Sequence, residues 1–255
     1  MAGTSRSLRV RDGARAHSGA SPAVRLRLLH AFELVCDGEP VTLPMSAQRV
    51  AAFLAVHDRP LMRSYVAGSL WLDTPEERAQ ASLRSALWRL HRCSRELVDA
   101  AGHRLAIGPE VEVDLRNAEE LARRALRETG PDVLELAAGR LTEDLLPDWY
   151  DDWVLLEREQ FRQLRLRALD ALCDRLTCEG RLGEALDVGL TAVVGEPLRE
   201  SAHRAVIRVH LADGNPGEAI RQYRLCRRLL GELGIRPSQH IEDLVRGVTD
   251  AETLA

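Results

Sequence analysis

The sequence predicts a mainly α-helical chain, in which a small winged helix-turn-helix of mixed α/β structure precedes an all-α domain of tetratricopeptide-like repeats. Three observations predict this fold class. Short alternating segments flank three amphipathic helical segments in the first half of the chain, which is the element order of a winged helix. Helical apolar spacing continues almost unbroken from residue 115 onward. A short motif also recurs there at the tetratricopeptide interval.

The length of 255 residues is suited to two domains. We expect a disordered leader over residues 1–22, a winged helix over 23–113 and a helical, repeat-like interaction domain over 114–255. The leader lacks the apolar segment of a secretory signal. The longest apolar run, residues 50–56, is far shorter than the roughly 18 residues of a membrane-spanning helix. We therefore expect a soluble cytoplasmic protein without membrane contact.

The charge of the chain is divided unevenly between its halves. The net charge is −4, but residues 1–113 contain 15 Arg against 12 acidic residues, whereas residues 114–255 contain 20 Arg against 27. Because attraction to DNA needs a basic surface rather than a basic chain, an acidic second half is compatible with nucleic-acid binding by the first half.

The sequence argues against an enzyme. All 35 basic residues are arginine, so the chain has no P-loop lysine and no Schiff-base lysine. No H-E-x-x-H, G-x-S-x-G or G-x-G-x-x-G motif occurs. His203 and His210 lie on one helical face without a third ligand, which favours packing or solvent exposure over a metal site. Its five cysteines form no C-x-x-C pair and are expected to be reduced, buried thiols. We expect no catalytic residue, cofactor or metal.

Three short strands and two helices open the first half. Asp37-Gly38 is a turn signal between strands, and Ser46 is expected to cap the first helix. The strands are expected over residues 24–29, 31–35 and 41–43, and the helices over 46–57 and 63–72.

A third helix has the strongest start signal in the chain. Thr74 is expected as its N-cap, Pro75 as its first residue, and Glu76 and Glu77 at the positive end of its dipole. The helix is expected to end near Val98. A stripe at spacings of three and four predicts its buried side: Ala79, Leu83, Leu87, Leu90, Ser94 and Leu97.

The opposite side of the third helix carries arginines and a tryptophan. Such a face is usually only solvated, but this helix follows two shorter ones and precedes an expected hairpin. The hairpin is expected from residues 97–98, a turn at Ala101-Gly102, and residues 103–107 with 111–113. That order favours a winged helix whose third helix enters the major groove of DNA. Arg104 at the hairpin tip is either a DNA contact or an ordinary surface residue. The candidate DNA contacts are Arg63, Arg84, Ser85, Trp88, Arg89, Arg92, Arg95 and Arg104.

An internal repeat organises the second half. The motif Gly-x-x-x-Glu-Ala begins at Gly180 and again at Gly214, an offset of 34 residues that is the tetratricopeptide period. Helices are expected over 115–129, 131–140 and 151–180. Arrays of such helix pairs commonly bind a protein segment or, less often, a small ligand. Trp149, Tyr150 and Trp153 are interpreted as a core plug in preference to a ligand cage.

Three segments resemble the Streptomyces antibiotic regulatory proteins: SLWLDTPEERAQASLRSALWRLHR (residues 69–92), LPDWYDDWVLLERE (146–159) and GELGIRPS (231–238). The resemblance covers about residues 24–246. It implies an OmpR-like winged helix joined to a bacterial transcriptional activation domain. It also implies activation of biosynthetic gene clusters by tandem protomers, or a homodimer, on direct DNA repeats within the nucleoid. RNA polymerase and its sigma factor are then expected near Asp73, Glu76 and Glu77.

The alternative is a helical-repeat adaptor, or a ligand-sensing regulator, whose winged helix binds protein instead of DNA. Salt separates the two hypotheses, because a DNA-binding protein that uses several arginines loses affinity steeply as salt rises.

Overall fold

A computed structural model of the chain describes residues 24–128, 130 and 141–252, with the side chains of 247–252 excepted. An N-terminal α/β region is followed by a helical array, which confirms the predicted fold class. The leader expected over residues 1–22 and the helix expected over 131–140 lie outside the described residues.

The chain begins with a small sheet. Strands β1 (Val24–Arg27), β2 (Glu33–Cys36) and β3 (Glu39–Pro40) form an antiparallel meander. Asp37 and Gly38 both have positive φ, at 51° and 88°, as in the two-residue turns that close tight hairpins. The third strand was expected over residues 41–43, and that prediction is wrong. A two-residue turn pairs Cys36 directly with Glu39, so β3 begins at residue 39.

Three helices complete the winged-helix core: α1 (Met45–Val56), α2 (Arg63–Leu70) and α3 (Glu76–Cys93). The predicted N-caps, Ser46 and Thr74, do not take that position, and Pro75 is the N-cap of α3 and not its first residue. Pro44 precedes α1 and Pro75 precedes α3, each with an extended ψ and without a side-chain cap. Helix α3 ends at Cys93 instead of Val98, because Ser94 takes an extended conformation and leads into the next strand.

A second sheet forms the wing. Strands β4 (Leu61–Met62), β5 (Val98–Ala101) and β6 (Arg104–Ile107) lie in the order β4-β6-β5. The hairpin is therefore made by β5 and β6 around the turn expected at Gly102. The expected pairing of residues 103–107 with 111–113 is wrong. Strand β7 (Glu112–Val113) instead joins the first sheet, parallel to β1. A Cβ at Gly108 would lie 1.8 Å from the Glu96 carbonyl oxygen, so only glycine fits where the chain leaves the wing.

The helical array follows β7, and successive helices from α5 to α8 pack against one another. Its helices are α4 (Asp114–Arg127), α5 (Asp152–Cys178), α6 (Leu182–Gly195), α7 (Glu200–Ala212), α8 (Pro216–Glu232) and α9 (Gln239–Glu252). No helix in the described ranges is both long and apolar enough to span a bilayer.

The 34-residue repeat corresponds to two equivalent turns between consecutive helices, one after α5 and one after α7. Gly180 and Gly214 have φ of 74° and 71°, the left-handed conformation that favours glycine after a helix. The amide following each glycine donates to a carbonyl of the preceding helix, Arg181 to Leu176 at 3.0 Å and Asn215 to His210 at 2.8 Å. The repeat that the sequence predicts is therefore a structural repeat.

An aromatic joint connects the winged helix to the array. Trp149 stacks on Phe32 with ring centroids 6.0 Å apart, and Trp153 meets the ring of Phe53 edge-on at 5.1 Å. The core-plug interpretation is confirmed for these two tryptophans. It is wrong for Tyr150, whose side chain is exposed. One apolar cluster runs through the joint, from Val24 in β1 to Val209 in α7.

Polar contacts fix the same joint. The carboxylate of Asp114 accepts hydrogen bonds from the amides of Leu28 at 2.8 Å and Leu29 at 3.1 Å, which ties the end of β1 to the start of α4. Burial raises the pKa of this carboxyl, although the amide hydrogen bonds oppose the rise. From α5, Arg158 donates to the carbonyls of Leu145 at 2.7 Å and Trp149 at 2.8 Å. The winged helix and the array are therefore joined by packing and by hydrogen bonds.

Candidate nucleic-acid interface

Helix α3 has one side buried in the winged-helix core. Ala79, Leu83, Ala86, Leu87 and Leu90 are all less than 5 % exposed, and α3 packs against α1 and α2. The predicted buried stripe is therefore confirmed as far as Leu90. Its last two members, Ser94 and Leu97, lie beyond the end of the helix.

The opposite side of α3 is exposed and carries most of the predicted DNA contacts. Arg84, Ser85, Trp88 and Arg92 are exposed, and Arg89 is half-buried at the edge of this face. The guanidinium of Arg92 lies over the Trp88 ring, 5.0 Å from its centroid. A cation–π contact of this kind restricts the guanidinium. The structure thus brings an arginine and an indole together as one unit on the presented face.

The arginines of this face lack acidic partners. Within the described part of the chain, no carboxylate lies at ion-pair distance from Arg84, Arg89 or Arg92. Their guanidinium donors are therefore available to an external anion or base edge. Arg78, exposed in the first turn of α3, has the same character. Sequence reasoning missed it, although its position one turn inside the predicted helix start was available as a signal.

The remaining predicted DNA contacts lie around the wing. Arg95 is exposed in the segment between α3 and β5, so it is not on the helix where the sequence placed it. Arg104 is exposed on β6, beside the Gly102 turn. Arg63 is half-buried, and its Nε donates to the Gly102 carbonyl at 3.3 Å while its amide donates to the His103 carbonyl at 2.9 Å. Arg63 therefore holds the wing turn against α2.

The turn between α2 and α3 presents an acidic and apolar surface. Asp73, Glu76 and Glu77 are exposed, as is Leu72, of which 75 % is accessible. A groove of about 260 Å³ runs beside the turn between α2 and α3, lined by Trp71, Leu72 and Thr74 among others. The exposure of Leu72 was missed by sequence reasoning because the predicted second helix included it.

The candidate metal-ligating and thiol residues take structural positions. His203 is fully buried, with Nε2 2.9 Å from the Pro197 carbonyl oxygen and Nδ1 2.8 Å from the Gln222 amide nitrogen. Burial lowers the pKa of His203, and the packing interpretation of this histidine is confirmed. Burial also raises the pKa of Cys173 to about 12 and that of Cys226 to about 11. Cys178 is exposed, contrary to expectation.

Comparison with known proteins matches the array to a family. The profile of the bacterial transcriptional activator domain matches residues 112–248, and no curated protein sequence matches the chain. The fold resembles the solved structure of Mycobacterium tuberculosis EmbR in complex with a low affinity phosphopeptide, with a TM-score of 0.70 and 20 % sequence identity. The similarity covers 90 % of this chain and 65 % of the EmbR chain, less than two thirds of that protein.

We predict that substitutions at adjacent positions of α3 have very unequal effects on stability. Leu87→Ala removes a side chain that is 4 % exposed and should lower the free energy of unfolding by about 2–5 kcal/mol. Trp88→Ala removes one that is 59 % exposed and should change it by less than about 0.5 kcal/mol. Urea unfolding of the full chain measures both. The reverse order would mean that α3 presents its other side.

Proposed function

From the chain's membership of the bacterial transcriptional activator domain family, shown by the match over residues 112–248, we propose a sequence-specific activator that reads duplex DNA with the exposed face of α3. It binds direct repeats beside a promoter, as tandem protomers or a homodimer, and recruits RNA polymerase with its sigma factor. The regulated genes belong to a biosynthetic cluster. A family of transcriptional activator domains is not an enzyme family, which agrees with the lack of catalytic motifs.

The observation that carries this proposal is the unpaired arginine face of α3. An arginine can donate two hydrogen bonds to O6 and N7 of guanine in the major groove, or clamp a phosphate. Arg84 and Arg92 lie two turns apart on the exposed side of an 18-residue helix, long enough to lie along the groove. The Trp88 ring restrains Arg92, which reduces the entropy that its ordering on DNA would cost.

The other residues of the face have supporting roles in this proposal. Ser85 is small enough to let the helix approach the base edges, and Arg89 borders the face towards the backbone. Arg95 and Arg104 contact phosphates from the wing side. Arg63 acts indirectly, because its hydrogen bond to the Gly102 carbonyl orients the turn next to Arg104.

The proposed polymerase contact is the turn between α2 and α3. Asp73, Glu76 and Glu77 are exposed there with Leu72, and an apolar residue within a charged rim is typical of a protein contact. The turn precedes the face that enters the groove, so a protein bound beside the operator can reach it.

We predict that Arg84→Ala and Arg92→Ala each weaken binding to a duplex selected from a random library by about 1–3 kcal/mol. Neither should change stability, because both side chains are exposed. Anisotropy titrations at several salt concentrations measure the affinity, and Arg167→Ala on α5 is the control. Normal binding by both variants contradicts the recognition face. Failure of the unsubstituted chain to retain any duplex would favour the protein-binding adaptor.

We further predict that Asp73→Asn/Glu76→Gln/Glu77→Gln leaves operator affinity within about twofold of the unsubstituted chain, or improves it, since these acids only repel phosphates. Transcription from a reconstituted promoter should fall several-fold. The control neutralises three other exposed acids, Glu39, Asp148 and Glu232. Equal transcription by the two variants would exclude the turn as the polymerase contact.

A further inference from the structure

Helix α8 carries a second concentration of arginine. Arg221, Arg224, Arg227 and Arg228 are all exposed, and no acidic residue occurs between Ala219 and Gly231. Spacings of three and four place Arg221, Arg224 and Arg228 on one side of the helix, with Arg227 beside them. We call these four residues the α8 stripe. It is a basic surface within an acidic half of the chain, where 27 acidic residues outnumber 20 arginines.

The α8 stripe differs from the other arginines of the array in its pairing. Most of the array's other arginines contact carboxylates or backbone carbonyls, for example Arg199 with Asp170 at 3.0 Å and Arg208 with Asp174 at 2.5 Å. Arg221 at the edge of the stripe is paired with Glu218 at 2.6 Å. For Arg224, Arg227 and Arg228, no carboxylate lies within ion-pair distance among the residues that the structure describes. Three guanidinium groups are thus available to an external anion.

Unpaired, exposed arginines on one helix side are also what distinguishes the recognition face of α3. We propose that the α8 stripe binds the phosphate backbone of duplex DNA that flanks the base pairs read by α3. This inference rests on the proposed function of α3, because α3 brings the chain to the duplex. It adds a second, sequence-independent contact made by the activation domain.

The geometry of the stripe fits a run of phosphates. At 1.5 Å per residue, Arg221 and Arg228 are about 10 Å apart along the helix axis, and a strand of B-DNA presents one phosphate per about 3.4 Å of axis. The stripe is therefore long enough to reach about two or three phosphates of one strand. Helix α8 packs mainly on α7 and α9, whereas α3 packs on α1, α2 and β5. A contact from α8 would therefore be made by the array and would be separate from the winged-helix contact of α3.

Arginine chemistry favours phosphate over a scattered acidic protein surface. The guanidinium fork binds phosphate oxygens in pairs, and the regular phosphate spacing suits side chains repeated along one helix. Arginine also keeps its charge at every working pH. The stripe is therefore expected to contribute affinity and salt dependence without base preference.

The test compares two duplexes that contain the same selected operator, one trimmed to it and one extended by about 15 base pairs on each side. The unsubstituted full chain should bind the extended duplex at least tenfold more tightly. Arg224→Gln/Arg227→Gln/Arg228→Gln should bind the trimmed duplex normally and lose most of that gain. Its log–log salt slope on the extended duplex should be shallower by about 2–3, at about 0.9 per phosphate contact.

The matched control is Arg123→Gln/Arg124→Gln/Arg127→Gln on α4, which removes the same charge from arginines paired with Glu119, Glu128 and Glu120. This control variant should still bind the extended duplex at least tenfold more tightly than the trimmed one. Equal losses by both variants, or no loss by the α8 variant, would overturn the proposal. Lost polymerase recruitment with unchanged DNA binding would also overturn it and assign the stripe to an acidic protein. Absence of all duplex binding by the unsubstituted chain would instead refute the proposed function of α3.

Discussion

The core shared between the winged helix and the helical array is the constraint on which the rest of the molecule depends. Neither half closes its own apolar surface: Phe32 and Phe53 on one side are covered by Trp149 and Trp153 on the other. Asp114 then satisfies two amides at the end of β1 from the first turn of α4. Because buried amides without partners are costly, this carboxylate fixes the two halves in one register.

The fixed joint determines which arginines are used inside the molecule and which are presented to a partner. At the joint, Arg158 is held in internal hydrogen bonds to the carbonyls of Leu145 and Trp149. On α3 the arginines project from a helix whose other side is held by the core. A rigid scaffold of this kind limits the conformational entropy that the chain loses when α3 binds DNA. A smaller entropy loss raises the affinity for the same set of contacts. It also carries the acidic turn and the array to a defined place beside the operator.

The sequence predicted the features that local periodicity encodes. The two sides of α3 follow from helical spacing alone. Leu83 and Leu87 were expected inside and Ser85 and Trp88 outside, as the structure has them. The turns at Gly180 and Gly214 were likewise visible as a repeat, because a glycine at each helix end is required by its positive φ.

Non-local choices were not predictable in the same way. From the sequence alone, residues 111–113 could pair with the wing or with the first sheet. In the structure they pair with β1, after the chain leaves the wing at Gly108. Asp114 reads locally as an ordinary acid at a helix start, and nothing in its neighbours in sequence points to Leu28 and Leu29. The proposed DNA contact by α8 was invisible for a similar reason. Whether an arginine is paired depends on which helix packs beside it.

Hydrogen exchange of the full chain across a urea series tests the shared core most directly. Peptides from α1 and α6 belong to one apolar cluster, so both should lose protection at the same urea concentration, in a single cooperative transition. Loss of protection in α1 while α6 remains protected would contradict the account, because it would show a winged helix that unfolds independently of the array.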